Sequence, residues 1–130
     1  MKKAFNYIAY GLAYGFWYLM SLLPFCILFL LSDFLFVIIA HVVRYRHKVI
    51  WKNLTESFPD KSEAEIRKIE YDFYHWFCDY LVETIKLMTM SPTSLQKRMR
   101  FTGMEPFNEV LKNGGSCAVY LGHYCNWEWI

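Results

Sequence analysis

EPFNEVLKNGGSCAVYLG, residues 105–122, decides how this chain is read. Its first part reads as a helix closed by Gly114 and Gly115, because glycine ends helices without steric cost. Its second part, SCAVYLG, is a compact apolar run with β-branched Val119 and Tyr120, and reads as a buried strand. Upstream, MRFTG (99–103) reads as a short strand stopped by Gly103. Strand, helix and strand in this order imply a βαβ crossover and a parallel pair. The expected class is therefore α/β: N-terminal membrane-associated helices, a long amphipathic helix, then the start of a mostly parallel sheet in an incomplete domain.

The long helix lies further upstream. Pro59 and Asp60 break the chain, and Ser62 with Glu65 three residues on forms a capping-box pattern. From there a 3.6-residue stripe of Ile66, Ile69, Phe73, Trp76, Phe77, Tyr80, Leu81, Ile85 and Met88 predicts a helix to about Met90. Arg67, Lys68, Asp72, Asp79 and Lys86 lie off the stripe. A core-packing face is the expectation, a lipid-binding face the rival. Ser91 and Pro92 restart the chain as N-cap and first helical residue, with a short turn expected over residues 93–97.

Composition bounds the rest. The chain has 130 residues, 55% of them hydrophobic and 20% aromatic, and positive mean hydropathy. Residues 4–32 carry no charge, longer than the roughly 20 apolar residues that cross a bilayer core. A signal peptide has a shorter apolar region and a small-residue cleavage site. Pro24 divides the region into residues 4–23 and 25–43, each about long enough to span. Lys2 and Lys3 precede it; Arg44, Arg46, Lys48 and Lys52 follow. Both basic flanks favour the cytoplasm, so a helical hairpin or two helices partly in one leaflet fit better than one span, and the cost of Asp33 in a bilayer favours a monotopic or shallow hairpin insertion over two full spans. Asp33, Val37, His41, Arg44 and Lys48 share one helical side, which faces protein or headgroups. The tyrosines suit a membrane interface, and the basic cluster suits anionic headgroups or serves as a plain orientation signal. A net charge of +2 gives no nucleic-acid footprint. Cys26, Cys78, Cys117 and Cys125 form no C-x-x-C pair and read as free thiols.

After Gly122 comes HYCNWEWI (123–130). His123 sits where reactive groups gather, beyond the carboxyl end of a strand, and Glu128 sits in the first turns of a following helix. From a loop, the imidazole can fold back on that carboxylate, which would fix its tautomer and stabilise the imidazolium. The pair is weak alone, since chance gives roughly 0.4 such spacings in a chain of this composition. With no serine in a nucleophile-elbow pattern, a His–Glu dyad suits direct transfer of an activated acyl group to a substrate hydroxyl. Two rivals stand beside it: a zinc site from His123, Cys125, Glu128 and Cys117, and a core histidine with an exposed glutamate.

GHYCNWE resembles the His-x4-acid motif of glycerolipid and glycolipid acyltransferases. Its form is similar to that of the bacterial lipid A biosynthesis acyltransferases, part of the lysophospholipid acyltransferase superfamily. RYRHKVIWKNLTESFPDKSEAEI (44–66) and GMEPFNEVLKNGGSCAVYLGH (103–123) resemble that family's segments before the motif. The phosphatidic-acid-forming enzymes instead usually have Asn-His and an Asp. The resemblance implies His123 as general base, Glu128 as its orienting acid, and Gly122, Asn126 and Trp127 shaping the substrate site, with no cofactor and no metal. It also implies an acyl carrier protein thioester donor, a lipid A precursor acceptor, and a catalytic part on the cytoplasmic face of the bacterial inner membrane. Acceptor chemistry is unread, so a glycerophospholipid or aminolipid acceptor remains open. So does a membrane-anchored interaction module. Family members are longer, so the chain is expected to be truncated and inactive alone. Its expected division is a membrane-inserting region with basic flank at 1–53 and the beginning of an acyltransferase domain at 54–130.

Overall fold

Pro24 sets the first corner. It lacks the N–H that would continue a helix, and its backbone is extended (φ −66°, ψ 154°). In the computed structural model, which describes residues 2–122 and 126–129, α1 (Lys2–Leu22) ends before it and α2 (Phe25–Phe36) begins after it. A π-helical segment, Val37–Val42, prolongs α2. Then follow α3 (His47–Ser57), α4 (Glu63–Lys86), α5 (Pro92–Arg98), α6 (Glu105–Lys112) and a single 3-10 turn, Trp127–Trp129. The chain divides into two compact units, Met1–Thr89 and Met90–Ile130.

The expected α/β class is overturned. No strand occurs among the described residues, so there is no βαβ start of a parallel sheet. Residues 99–103 and 116–122 are irregular. Met99 has extended backbone (φ −119°, ψ 126°), yet no neighbouring segment pairs with it. The physical reason is that a strand is a pairing, not a pattern: its N–H and C=O groups need a second backbone, and β-propensity expresses fit to neighbours. Val119 is 61% and Tyr120 96% exposed. Among the described residues the apolar run is left uncovered.

The capped elements match their signals. Ser62 accepts from the Glu65 N–H and Glu65 reaches back to the Ser62 N–H at 2.9 Å, a complete capping box at the start of α4. Ser91 caps α5 through the Ser94 N–H, with Pro92 first in the helix. Gly114, at φ 75°, closes the turn after α6.

The core of the first unit is α2 lying along α4, with α1 and α3 also touching α4. Leu28, Ser32 and Phe36 of α2 are buried, as are Ile66, Glu70, Tyr74, Cys78 and Val82 of α4. Of the predicted stripe only Ile66 is among them; Phe73 and Phe77 are half-buried, Trp76 and Met88 exposed. The buried face is rotated from the most apolar one, because several residues off the stripe make the specific contacts. Asp79 accepts from Ser32 Oγ at 2.6 Å. The Lys86 ammonium donates to the Ser21 and Leu23 carbonyls at 2.8 and 2.9 Å, and Thr89 Oγ1 to Ser21 at 2.6 Å. These donors take up carbonyls that the end of α1 leaves without helical partners.

The expectation of two membrane-inserting segments narrows. Among the described residues, Phe25–Val42 is the one helix long and apolar enough to cross a membrane by length and composition. α1 has the length, but Lys3, Asn6, Tyr7, Tyr10, Tyr14 and Tyr18 dilute it. It nevertheless leaves Phe5, Ile8, Leu12, Trp17 and Leu19 exposed. Asp33 of the apolar helix is exposed, yet it reaches α4: its Oδ1 lies 3.2 Å from His75 Nε2.

Candidate functional site

The sequence points to the end of the second unit. Gly122 is exposed, with open space where a Cβ would stand. His123, the expected base, lies outside the described residues, as does Cys125 of the zinc alternative. Asn126 is half-buried, Trp127 38% exposed, and Glu128 exposed in the 3-10 turn. That turn is closed by the Trp129 N–H donating to the Asn126 carbonyl at 3.2 Å. Glu128 thus stands on a single tight turn, where the sequence suggested the opening of a longer helix. Beside it, Trp129 lines an apolar cleft of about 300 Å³ with Pro92, Leu95, Met99 and Phe101. Among the described residues no cluster of three His, Cys, Asp or Glu side chains is placed to hold a metal, and Cys117 is exposed.

The first unit holds a polar constellation that the sequence reading missed. His47, first residue of α3, places Nδ1 2.5 Å from Oε1 of Glu70, which is only 8% exposed on α4. The two are 23 residues apart, so no spacing rule finds them. The available signal was Glu70 itself, one turn after buried Ile66. A cleft of about 360 Å³ opens beside the pair, lined by Ala40, His41, Arg44, Arg67, Tyr71 and Tyr74 as well. The Tyr74 hydroxyl donates to the Tyr45 carbonyl at 2.8 Å. Burial pushes the Tyr74 phenol above its ordinary value, the Glu70 carboxylate adds to this, and Arg44 opposes it. A second polar group joins α2 to α4, where Asp33, His75, Asp79 and Ser32 meet within 3.6 Å of one another in sequence of contact.

The segment between α2 and α3 is built to turn sharply. The π-helical segment widens the last turn, with the Val43 N–H on the Ile38 carbonyl at 2.8 Å and the Tyr45 N–H on Ile39 at 3.0 Å. Arg44 and Arg46 both have left-handed backbone, at φ 51° and 52°.

Comparison with known families gives one result. A family model described as bacterial lipid A biosynthesis acyltransferase matches residues 1–129. No curated protein and no solved structure matches the chain.

Proposed function

We infer the activity from the family, for the chain belongs to the bacterial lipid A biosynthesis acyltransferases. We propose that His123 and Glu128 are the catalytic dyad of an O-acyl transfer at a membrane surface. His123 takes the proton of an acceptor hydroxyl as that oxygen attacks the thioester carbonyl of the acyl donor. The tetrahedral centre collapses, the carbon–sulfur bond breaks, and the thiolate leaves with the proton returned by the imidazolium. The products are an ester and a free thiol, so atoms and charge balance with no cofactor or metal. Glu128 holds the imidazole in the tautomer whose free nitrogen faces the hydroxyl. Gly122, Asn126 and Trp127 shape the ground around it.

The donor is acyl carrier protein thioester and the acceptor a lipid A precursor hydroxyl. The family match carrying GHYCNWE at 122–128 is the observation on which this rests. Membrane association is supported by the apolar helix Phe25–Val42 and the exposed apolar side chains of α1. The basic residues flanking these helices support a catalytic part on the cytoplasmic face of the bacterial inner membrane. Residues 1–53 serve as the membrane-inserting region and 54–130 as acyltransferase domain.

The test is an assay of the natural gene product carrying this sequence, with acyl carrier protein thioester and lipid A precursor. His123→Ala should lower the rate by about 10²–10⁴-fold, the span general base catalysis contributes. Glu128→Gln should reduce it less. A rate unchanged in His123→Ala refutes the assignment.

A further inference from the structure

RYRHK, residues 44–48, spans the elbow after the π-helical segment and the first two residues of α3. Two of its residues adopt left-handed backbone that L side chains other than Asn and Asp rarely take, and both are arginine. Glycine would hold the same turn without strain, so the turn alone does not explain these side chains. α4 fixes the elbow in place. Tyr74 binds the Tyr45 carbonyl, the Tyr45 ring stacks on Phe77 at 6.0 Å, and Glu70 holds the His47 ring.

Charge pairing separates the elbow from its surroundings. Lys52, Lys61, Arg67 and Lys68 each have a carboxylate within 3.7 Å. Arg44, Arg46 and Lys48 have none among the described residues. Together with His47 they line a cleft of about 370 Å³. Arg44 and His47 also border the neighbouring cleft, whose one carboxylate, Glu70, is taken by His47. Two of the three cations, Arg44 and Arg46, sit on left-handed backbone, Lys48 stands in the first turn of α3, and three neighbouring cations left without counter-charge suit a multivalent anion. A phosphomonoester carries about −1.5 to −2 charges at neutral pH and three terminal oxygens, and the guanidinium fork matches phosphate geometry. The elbow follows directly on the apolar helix Phe25–Val42, at the end where its charged residues begin.

We propose that Arg44, Arg46, His47 and Lys48 form a binding site for a phosphomonoester group, whether carried by a lipid headgroup or free in solution. The site acts by binding and is independent of the His123 chemistry.

The purified protein is sedimented with phosphatidylcholine vesicles containing either phosphatidic acid, a monoester, or phosphatidylglycerol, a diester, matched in surface charge. Wild type should bind phosphatidic acid vesicles about tenfold more tightly, the worth of one charge-assisted contact. Arg44→Gln with Arg46→Gln should remove that preference. Arg44→Lys with Arg46→Lys should keep overall binding and lose most of the preference, which separates loss of the fork from misfolding. Lys52→Gln with Lys68→Gln should weaken both lipids alike and leave the preference intact. Millimolar inorganic phosphate that abolishes the preference shows that the site takes phosphate alone. A preference that survives it ties the site to lipid-borne monoesters. Equal binding of the two vesicle types by wild type, or a preference retained in the double glutamine variant, overturns the proposal. His123→Ala should leave this readout unchanged.

Discussion

Lys86→Met probes the clasp that fixes the corner at Pro24. The ammonium donates to two carbonyls, of Ser21 and Leu23, and stands 5.9 Å from the Phe25 ring centroid. Methionine keeps the length and apolar stem but offers no donor. Ser21 retains Thr89 Oγ1 at 2.6 Å, so its carbonyl is still served. The Leu23 carbonyl loses its donor outright. A hydrogen bond to a charged group contributes about 1.5–3 kcal/mol, and a cation over an aromatic face about 0.5–1 kcal/mol. Allowing for the remaining Thr89 contact, the expected loss is about 2–3 kcal/mol. That is a large part of the roughly 5–15 kcal/mol that holds a folded domain together. The comparison variant is Lys68→Met, whose exposed partner is Asp72 one turn along α4. Such pairs contribute about 0.3–0.5 kcal/mol. Chemical unfolding in detergent micelles, followed by far-UV circular dichroism, measures both. A Thr89→Val variant completes a cycle, and because both donors share the Ser21 carbonyl the double variant should be non-additive. If Lys86→Met and Lys68→Met lose the same stability, the clasp does not carry the corner.

Further outcomes follow from the same geometry. Tyr74→Phe should cost about 1 kcal/mol through the lost bond to Tyr45, seen in the same unfolding assay. Because the Tyr74 phenol is raised by burial, its contribution is present below the ordinary tyrosine value of 10.0 and is lost as pH rises through the higher folded value; Tyr74→Phe should abolish that alkaline loss. Ser62→Ala should destabilise α4 by about 1 kcal/mol. The Ser62 hydroxyl and N–H, then Lys61, hold the Glu65 carboxyl below its ordinary 4.5. The cap's contribution is therefore present above that value and fades as pH falls through the lower folded value, so helicity at the start of α4 should decline in acid for wild type and decline less in Ser62→Ala, which keeps the backbone N–H and Lys61 but loses the hydroxyl. Burial, with Asp79 beside it, pushes the Cys78 thiol up. Iodoacetamide should label exposed Cys117 well before Cys78 when peptides are quantified by mass spectrometry at pH 8, and equal rates would contradict the packing.

What was legible in the sequence had local causes. The Pro24 break, the Ser62–Glu65 box, the Ser91–Pro92 start and the Gly114 stop each depend on one or two residues and their own backbone. The strands failed for the opposite reason. SCAVYLG has the composition of a buried strand, but its form depends on a distant partner, and Tyr120 stands almost wholly exposed. The stripe of α4 was legible as a helix but not as a face. Apolar periodicity does not distinguish residues that meet lipid or solvent from those that meet α2, and Asp79 and Lys86, discounted as polar, make the contacts that fix the packing.

From the sequence alone came the capped helix starts at Ser62 and Ser91, the apolar N-terminal third, and the family, because each is written in short-range pattern or in a motif such as GHYCNWE. Tertiary structure alone decided which face of α4 is buried, that Asp33 meets His75, and that His47 and Glu70 join across 23 residues. It also showed that Arg44, Arg46 and Lys48 stand together without carboxylate partners among the described residues. These are relations between chain segments, and a side chain's partner, unlike its propensity, exists only once the backbone has brought the two together.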